Sequence, residues 1–291
     1  MKAVIFGING QDGFYLSALL QQRGIEVIGV SRKGDFLRTD ISNYSEVEEL
    51  VKLHCPDYIF HLAANSTTRH EALFENHQTI STGTFNLLEA VRLHSNHTKV
   101  FISGSGLQFE NKSKPITETD PFEARDAYSV SRIHTVYAAR YYRAQHNIKT
   151  YVGYFFNHDS PKRSERHVAQ KIASAAVRIG KGSTERLVIG DVTTLKEWTF
   201  AGDVAEAIWC LVTQDKVFEA NLGSGFGYSI ADFLEECFSL IGKNWKDHVD
   251  IELGFRAEYQ QLVSDSSIIQ SLGWQPKTSL KQLAQLMMHR S

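Results

Sequence analysis

The chain has 291 residues, of which 42% are hydrophobic and 22% charged, and its formal net charge is −2. This size allows one large domain or two unequal ones, each with a substantial core. The near-neutral charge predicts no long-range attraction to nucleic acid or to an anionic membrane, and no apolar run is long enough to span one. The N-terminus lacks a signal-peptide pattern and the three cysteines are isolated, so we expect a cytoplasmic protein without disulfides or a metal cluster.

The first fifteen residues carry the pattern around which the chain is organised. A short apolar strand at residues 3–6 is followed by three glycines spaced three residues apart and then by a helical apolar pattern. Glycines let the backbone approach a diphosphate closely, and the start of a helix presents free N–H groups to the anion. The pattern therefore predicts a dinucleotide-binding turn. The expected cofactor contacts in this turn are Gly7, Asn9, Gly10, Gln11, Asp12 and Gly13.

Strand and helix patterns alternate along the next part of the chain. This alternation predicts an α/β protein with a Rossmann doubly wound parallel sheet covered by helices on both faces. We expect a NAD(P)-binding Rossmann domain at residues 1–156. Residues 157–291 are expected to form mainly a smaller substrate-binding lobe, with some segments returning to the sheet. Further predicted strands are 26–30, 58–62, 99–102 and 150–154, and predicted helices are 43–54, 84–94, 128–147, 168–179, 203–213 and 229–241.

The end of the second predicted strand indicates which dinucleotide binds. Arg32 and Lys33 follow that strand, and the nearest acid, Asp35, lies beyond a glycine. Basic residues there accept the 2′-phosphate of NADP, whereas an acid would bond the ribose of NAD. NADP is therefore favoured, with NAD as the alternative, and a basic turn without a ligand is the simpler interpretation of the same residues. Asp40 and Ile41 are expected to contact the adenine.

A tyrosine and a cation one turn apart open the longest predicted helix. Tyr128 and Arg132 share one helix face, and Ser105 lies where the preceding strand ends. The cation favours the phenolate, the phenolate takes a proton from an alcohol, and the serine hydroxyl orients that oxygen. The Tyr-x-x-x-Arg pattern alone is not specific, so this prediction depends on the dinucleotide turn upstream. We predict Tyr128 as acid/base, Arg132 as its cationic partner and Ser105 as the orienting group of a hydride-transfer site.

Five segments together resemble one group of proteins. They are residues 10–16 (GQDGFYL), 156–163 (FNHDSPKR), 195–198 (LKEW), 255–258 (FRAE) and 272–276 (LGWQP). They resemble the extended short-chain dehydrogenase/reductases and, most closely, the GDP-mannose 4,6-dehydratase family. The resemblance implies an NAD(P)-dependent enzyme acting on a GDP-hexose or a related GDP sugar. The further cofactor contacts expected are Leu62, Ala63, Ala64 and Asn157, and the expected substrate contacts are Asn65, Ser66, Asn157, His158, Lys171, Lys196, Arg256 and Glu258.

The chain departs from this family at the residues that perform elimination. In an ungapped alignment, Ser105 takes the place of the family's catalytic threonine, and Leu107 that of the glutamate that removes the C5 proton. A one-residue slip would place Gly104 and Gly106 at these positions, and neither register supplies an acid. We therefore favour oxidation or reduction at C4 of the sugar. A dehydratase with a relocated base and a non-catalytic dinucleotide-binding protein are the alternatives.

Two further departures concern charge geometry and assembly. Arg132 replaces the lysine of the usual Tyr-x-x-x-Lys pattern, which keeps the charge but changes the donor geometry. The resemblance also implies a longer arm after the basic pair, which in the family supports a tetramer and which is missing here. The predicted helices 84–94 and 128–147 correspond to those that members of the group pack together in dimers. A homodimer is therefore expected.

Overall fold

The structure, a computed structural model, describes residues 1–65 and 67–289. Long strands and helices alternate over its first half, and shorter elements are interspersed in the second. The strands are β1 (Lys2–Phe6), β2 (Glu26–Val30), β3 (Tyr58–His61), β4 (Lys99–Ser105), β5 (Thr150–Phe155), β6 (His158–Asp159), β7 (Leu187–Ile189), β8 (Leu195–Lys196), β9 (Thr199–Phe200), β10 (Glu219–Leu222), β11 (Tyr228–Ser229), β12 (Val249–Ile251) and β13 (Gln261–Leu262). The helices are α1 (Gln11–Gln22), α2 (Tyr44–His54), α3 (Leu73–Asn76), α4 (Gly83–His94), α5 (Ala127–His146), α6 (Val168–Gly180), α7 (Ala201–Val212), α8 (Ile230–Ser239), α9 (Ser267–Ser271) and α10 (Leu280–Met288).

Six parallel strands form the central sheet, in the order β10-β5-β4-β3-β1-β2. The chain leaves β1 to form β2 on one side and returns to form β3 on the other. Ligands of open α/β sheets bind where the strand order reverses in this way, at the carboxyl ends of the strands. The predicted doubly wound Rossmann sheet is confirmed. Its edge strand β10 comes from the second half of the chain and pairs with β5.

The alternation of side chains along β1 shows how the sheet is covered on both faces. Val4 and Phe6 enter the core that α2, α4 and α5 complete, while Ala3 and Ile5 enter the core formed with α1, α7 and α9. All four side chains are at most 1% exposed. Successive strand residues point to opposite faces, so a continuous apolar run is what a strand buried on both sides requires. Burial of a side chain such as Phe6 contributes about 1.5–3 kcal/mol.

A third hydrophobic core is formed by elements of the second half of the chain, and this part is called the smaller lobe below. Ala169, Ile172, Ala173 and Ala176 recur at helical spacing on one face of α6, and this face packs with α8, α10, β7 and β12. The Trp198 ring stacks on a buried phenylalanine of α8, with 4.3 Å between the ring centroids. Within the described ranges, no helix is long and apolar enough to cross a membrane.

Most predicted elements are present, but β4 is longer than expected. It continues three residues beyond the predicted end at 102, because Ser103 to Ser105 remain paired with Gly153 to Phe155 of β5. The helix α2 begins one residue later than predicted, because Asn43 is its N-cap and its Oδ1 accepts a hydrogen bond from the Ser45 backbone N–H at 3.2 Å. Short elements such as β10, α9 and α10 had not been predicted.

Candidate active site

A groove with a volume of about 340 Å³ runs along the carboxyl ends of β1, β2 and β3. It contains ten of the residues predicted to contact a dinucleotide, together with five that had not been predicted. The predicted residues that line it are Gly7, Asn9, Gly10, Arg32, Lys33, Asp40, Ile41, Leu62, Ala63 and Ala64. The additional lining residues are Phe6, Val30, Ser31, Thr39 and Thr79.

The three glycines at the base of the groove meet three different requirements. Gly7 has φ of +92°, and a Cβ there would lie 2.7 Å from the Ala63 nitrogen. A Cβ on Gly13 would lie 2.5 Å from the Gly7 carbonyl oxygen, so this glycine lets α1 pack against the turn. Gly10 is different, because its Cβ would approach only the Gly7 carbonyl, at 3.3 Å, and would otherwise point into open space. Gly10 is also the N-cap of α1 and has no side chain to cover the helix start, which leaves room for an anion there.

The basic turn after β2 is tied to the glycine turn by hydrogen bonds. Asn9 Nδ2 donates to Ser31 Oγ at 2.6 Å and to the Lys33 carbonyl oxygen at 2.9 Å. Arg32 is 61% exposed and pairs at 3.2 Å with Glu75, which had not been predicted as a site residue. The groove therefore combines an uncovered helix start with two cations, a combination that fits a phosphorylated dinucleotide.

Asp40, at the other side of this groove, has one carboxylate oxygen engaged. Its Oδ1 accepts from the Ser42 backbone N–H at 2.9 Å and from the Ser42 hydroxyl at 2.8 Å. The backbone hydrogen bond is the main reason why the pKa of Asp40 lies below its usual value. The second oxygen, Oδ2, is the one that an adenine amino group would use.

Gln11 and Asp12 turn away from the groove towards the segment that follows β5. Gln11 Nε2 donates to the His158 carbonyl oxygen at 3.1 Å and its Oε1 accepts from Ser160 at 2.8 Å. Asp12 Oδ1 lies 2.8 Å from His158 Nε2, and His158 Nδ1 lies 2.7 Å from the Phe156 carbonyl oxygen. Both ring nitrogens of His158 therefore face acceptors, which is the arrangement that an imidazolium satisfies.

The charge states of this pair follow from the same geometry. Burial opposes the charged form of His158, but the Asp12 carboxylate outweighs it and raises the pKa of His158 above 6.5. Burial likewise opposes ionisation of Asp12, and the His158 charge and hydrogen bond hold the pKa of Asp12 below its ordinary 3.8. The Asp12–His158 pair thus links α1 to the segment that follows β5.

Tyr128 and Arg132 lie together at the buried start of α5. Tyr128 is 9% exposed and Arg132 only 3%. The guanidinium carbon of Arg132 lies 5.0 Å from the centre of the Tyr128 ring. Arg132 Nη1 donates to the carbonyl oxygen of Ser103 and, at 2.8 Å, to its hydroxyl. The cation is therefore anchored to β4, beneath the aromatic ring.

A buried histidine of β3 completes the surroundings of Arg132. Burial and the nearby Arg132 charge lower the pKa of His61 to about 3, so this imidazole is neutral at physiological pH. Its carbonyl oxygen accepts from Ser103 Oγ at 2.9 Å. Arg132 consequently supplies the positive charge at this point of the site, and His61 adds none.

Ser105 ends β4 and caps the short turn that carries Leu107. Its Oγ accepts from the Leu107 backbone N–H at 3.2 Å, and its own N–H donates to Gln108 Oε1 at 2.9 Å. A serine hydroxyl has one donor and two acceptor positions, so capping leaves the O–H free to donate. This cap positions Ser105 at the carboxyl end of β4.

Leu107 lines a second cavity, of about 300 Å³, beside this turn. The same cavity contains two carboxylates, Asp126 and Glu258, which the ungapped comparison at residue 107 would not reveal. Asp126 Oδ1 caps α5 by accepting from the Ser129 N–H at 2.8 Å. Glu258 Oε1 accepts from the Thr68 hydroxyl at 3.2 Å. The cavity therefore contains two carboxylates, although residue 107 itself does not supply one.

A third cavity, of about 450 Å³, lies on the smaller lobe and brings together three of the predicted substrate residues. Lys171, Lys196 and Glu258 line it. Lys196 is 7% exposed, its Nζ lies 4.3 Å from the centre of the Trp198 ring, and burial lowers its pKa. Glu258 lines both this cavity and the one beside Leu107, so the two cavities meet at this carboxylate.

Three other predicted substrate contacts, Arg256, Asn157 and Asn65, do not line this cavity. Arg256 is exposed and does not line the cavity on the smaller lobe. Asn157 accepts a hydrogen bond from the Tyr259 hydroxyl at 3.3 Å. Asn65 Nδ2 donates to Glu75 at 2.9 Å, and Ser66 lies outside the described residues.

Several lining residues could not be identified from sequence patterns. Arg166, Asp191 and Tyr259 line the cavity on the smaller lobe, yet none belongs to a motif that predicted it. Asp126 could have been identified from the sequence as a helix cap, because an aspartate just before a predicted helix is a preferred N-cap. Across the described part of the chain, no cluster of three or more potential metal ligands is present, and Cys55, Cys210 and Cys237 are unpaired thiols.

Comparisons with known proteins agree with this architecture. A family model described as GDP-mannose 4,6 dehydratase matches residues 30–287. GDP-mannose 4,6 dehydratase 1 of Arabidopsis thaliana is 32% identical over 320 aligned positions, which cover 98% of this chain and 88% of the relative. Among solved structures, RMD from Pseudomonas aeruginosa complexed with NADPH is 21% identical, with a TM-score of 0.86 and coverage of 99% and 97%. The UDP-glucose 4-epimerase of Thermus thermophilus in complex with NAD is also 21% identical, with a TM-score of 0.85 and coverage of 100% and 98%.

Proposed function

Because the chain belongs to the GDP-mannose 4,6-dehydratase family, we propose that it is a nicotinamide-dinucleotide-dependent enzyme that modifies a GDP sugar at C4. The observation that carries the C4 chemistry is the buried pair of Tyr128 and Arg132, held against the end of β4. A protein that only sensed a dinucleotide would need neither this pair nor the free hydroxyl of Ser105.

Tyr128, Ser105 and Arg132 each have a separate role in the proposed oxidation at C4. Tyr128 takes the proton from the C4 hydroxyl as the oxygen becomes a carbonyl, and Ser105 donates a hydrogen bond that orients that oxygen. Arg132, whose guanidinium carbon lies 5.0 Å from the centre of the tyrosine ring, places a fixed positive charge beside the group that exchanges the proton. A nicotinamide dinucleotide in the groove along β1–β3 would supply the hydride acceptor for this oxidation and the hydride donor for the reverse reaction. In that direction Tyr128 returns the proton to the oxygen.

The groove along β1–β3 is the proposed dinucleotide site, and NADP is the preferred form. The open face of Gly10 and the uncovered start of α1 suit the diphosphate. Arg32 and Lys33 suit a 2′-phosphate, since charge-assisted hydrogen bonds to phosphate are stronger than neutral ones.

The substrate is proposed to occupy the two cavities that meet at Glu258. Lys171 and Lys196 would face the diphosphate of the GDP sugar, and the sugar would extend towards Leu107 and Asp126, which lies two residues before Tyr128. Leu107 has no lone pair with which to remove the C5 proton. Loss of a general base typically costs about 10²–10⁴-fold in rate, so C4 oxidation or reduction is favoured over elimination.

Dehydration with a relocated base is the second candidate function. The specific observation in its favour is Glu258, which shares a cavity with Leu107 and lies where the two cavities meet. A carboxylate there would take the C5 proton after C4 oxidation, water would leave from C6, and the hydride would return to C6. This order restores the oxidised dinucleotide and releases a 4-keto-6-deoxy sugar.

Incubation of GDP-mannose with the enzyme and NADP in deuterium oxide, followed by mass spectrometry, separates the two functions. C4 chemistry predicts a change in the redox state of the dinucleotide without water loss. Tyr128→Phe should lower the rate by at least about 10²-fold, while Tyr228→Phe, at a tyrosine of β11 that is 39% exposed, should not. Rapid water loss with deuterium at C5 would establish dehydration instead, and Glu258→Gln should then abolish it.

Domain organisation and assembly are further proposals. We retain a Rossmann domain at residues 1–156 and a mainly substrate-binding lobe at 157–291, in a cytoplasmic protein. The exposed apolar side chains Phe85, Tyr137 and Tyr141 on α4 and α5 support a homodimer formed by these helices. Light scattering at micromolar concentration should give a mass of two chains, and a mass of four would contradict this proposal.

A further inference from the structure

Glu75 joins two strand ends that lie on opposite sides of β1. One oxygen, Oε1, lies 3.2 Å from Arg32 Nη2, in the turn after β2. The other, Oε2, accepts from Asn65 Nδ2 at 2.9 Å, in the segment after β3. Glu75 belongs to α3, a single helical turn that continues through the π-helical residues 77–82 into α4. The proposed reaction gives this carboxylate no role.

The Arg32–Glu75 pair is built so that it can be exchanged. The two side chains are 61% and 45% exposed, and only one nitrogen–oxygen contact joins them. Exposed pairs of this kind contribute about 0–1 kcal/mol to stability. A phosphate offers a larger charge and several acceptor oxygens, so it would displace a single carboxylate from the guanidinium.

We propose that Glu75 sets the selectivity of the groove between NADP and NAD by competing with the ribose 2′-phosphate for Arg32. This inference rests on the proposed dinucleotide site. With NADP, Arg32 leaves Glu75 for the phosphate, and the carboxylate remains nearby as a like charge. With NAD, Arg32 stays paired. Glu75 therefore lowers the affinity for NADP and leaves that for NAD almost unchanged.

Glu75→Gln is the informative substitution, because the amide removes the charge while its oxygen can still accept from Asn65. Glu71→Gln is the matched control. Glu71 is exposed, lies one turn earlier, and makes no hydrogen bond with Arg32 or Asn65 among the described residues. Binding of NADPH and NADH is measured by fluorescence titration at one fixed ionic strength, with thermal unfolding to verify that each variant is folded.

Glu75→Gln should tighten NADPH binding by about three- to tenfold, the equivalent of about 0.7–1.4 kcal/mol, with NADH changing less than about twofold. In an Arg32→Ala background the same substitution should have a smaller effect, because only the like-charge repulsion remains, and an equal effect in both backgrounds would indicate a structural role instead of competition for Arg32. Unchanged NADPH and NADH affinities in Glu75→Gln would overturn the role of Glu75 and leave the dinucleotide site standing. Failure of the unmodified protein to bind either dinucleotide would overturn both proposals.

Discussion

Two charge pairs lie beside the groove along β1–β3, and they differ chiefly in burial. The Asp12–His158 pair is 23% and 6% exposed, whereas the Arg32–Glu75 pair is 61% and 45% exposed. His158 uses both ring nitrogens, while Arg32 makes a single contact with Glu75. The comparison shows that a buried charge pair holds two segments together, whereas an exposed pair can be exchanged for another ligand. Water competes mainly with the exposed Arg32–Glu75 pair.

Removal of His158 should give the largest effect. In His158→Leu the Asp12 carboxylate and the Phe156 carbonyl both lose their donor. Breaking a buried pair costs about 3–5 kcal/mol, and the partial exposure of Asp12 places this case near 3 kcal/mol. Urea denaturation should show a lower midpoint with an unchanged slope. Asp12→Asn, which keeps an acceptor for the ring, should lose less, and equal losses would show that the retained hydrogen bond contributes nothing without the charge.

Neutralisation of both Arg32 and Lys33 should mainly affect binding. The double alanine variant should lose about 1–3 kcal/mol of NADP affinity, because charge-assisted hydrogen bonds to the phosphate disappear. Affinity for NAD and the urea midpoint should change little. Calorimetric titration measures both affinities, and equal binding of NAD and NADP by the unmodified protein would contradict the assignment.

A change in pH should alter the free energy of unfolding by less than the removal of His158 does, since a neutral His158 can still form one hydrogen bond. The raised pKa of His158 gives stability that is complete below pH 6.5 and is lost as pH rises through the folded-state pKa. The lowered pKa of Asp12 gives stability that is present above pH 3.8 and is lost as pH falls through the folded-state pKa. Arg163, which donates to the His158 carbonyl at 3.2 Å, opposes protonation of the ring.

The stability that the pair contributes should therefore be largest between about pH 4 and 6.5. The difference in urea midpoint between the unmodified protein and His158→Leu should narrow as the pH is raised above this window. A constant difference from pH 5.5 to 9 would indicate that His158 does not change charge in that range.

The exposed pair should show the smallest effect on folding. Arg32→Leu and Glu75→Gln should each change the free energy of unfolding by less than about 1 kcal/mol. Added salt should reduce even this difference, because exposed charges are screened within about 8 Å at physiological ionic strength. A loss comparable with that of His158→Leu would remove the distinction between the two pairs.

Much of the fold was predictable, because long apolar strands and amphipathic helices are local patterns. The strand at 26–30 was predicted with its observed limits, and α5 was displaced by one residue at each end. Short elements such as β10 and α9 could not be predicted, since four or five residues contain too little periodicity to indicate a strand or a helix. The observed end of β4 also depends on pairing with β5, which the strand's own residues do not encode.

The site was predictable where a motif reports a local backbone requirement. The glycine turn and the basic turn both line the groove, as local reasoning expected. The contact between Asp12 and His158 joins residues 146 positions apart, so neither segment reveals its partner. Glu75 could not be identified from the sequence, because a surface glutamate in a helix outside every motif resembles any solvated charge.

The position of β10 has a consequence for how the chain matures during synthesis. Glu219, its first residue, accepts from Arg140 and Arg143 of α5 at 2.6–2.9 Å and from the Tyr154 hydroxyl at 2.7 Å. Until about residue 222 has left the ribosome, the backbone of β5 is an open sheet edge and both arginines lack this carboxylate. Nascent chains stalled after residue 156 should therefore be vulnerable to proteolysis and edge-to-edge association, and those stalled well beyond residue 222 should acquire resistance.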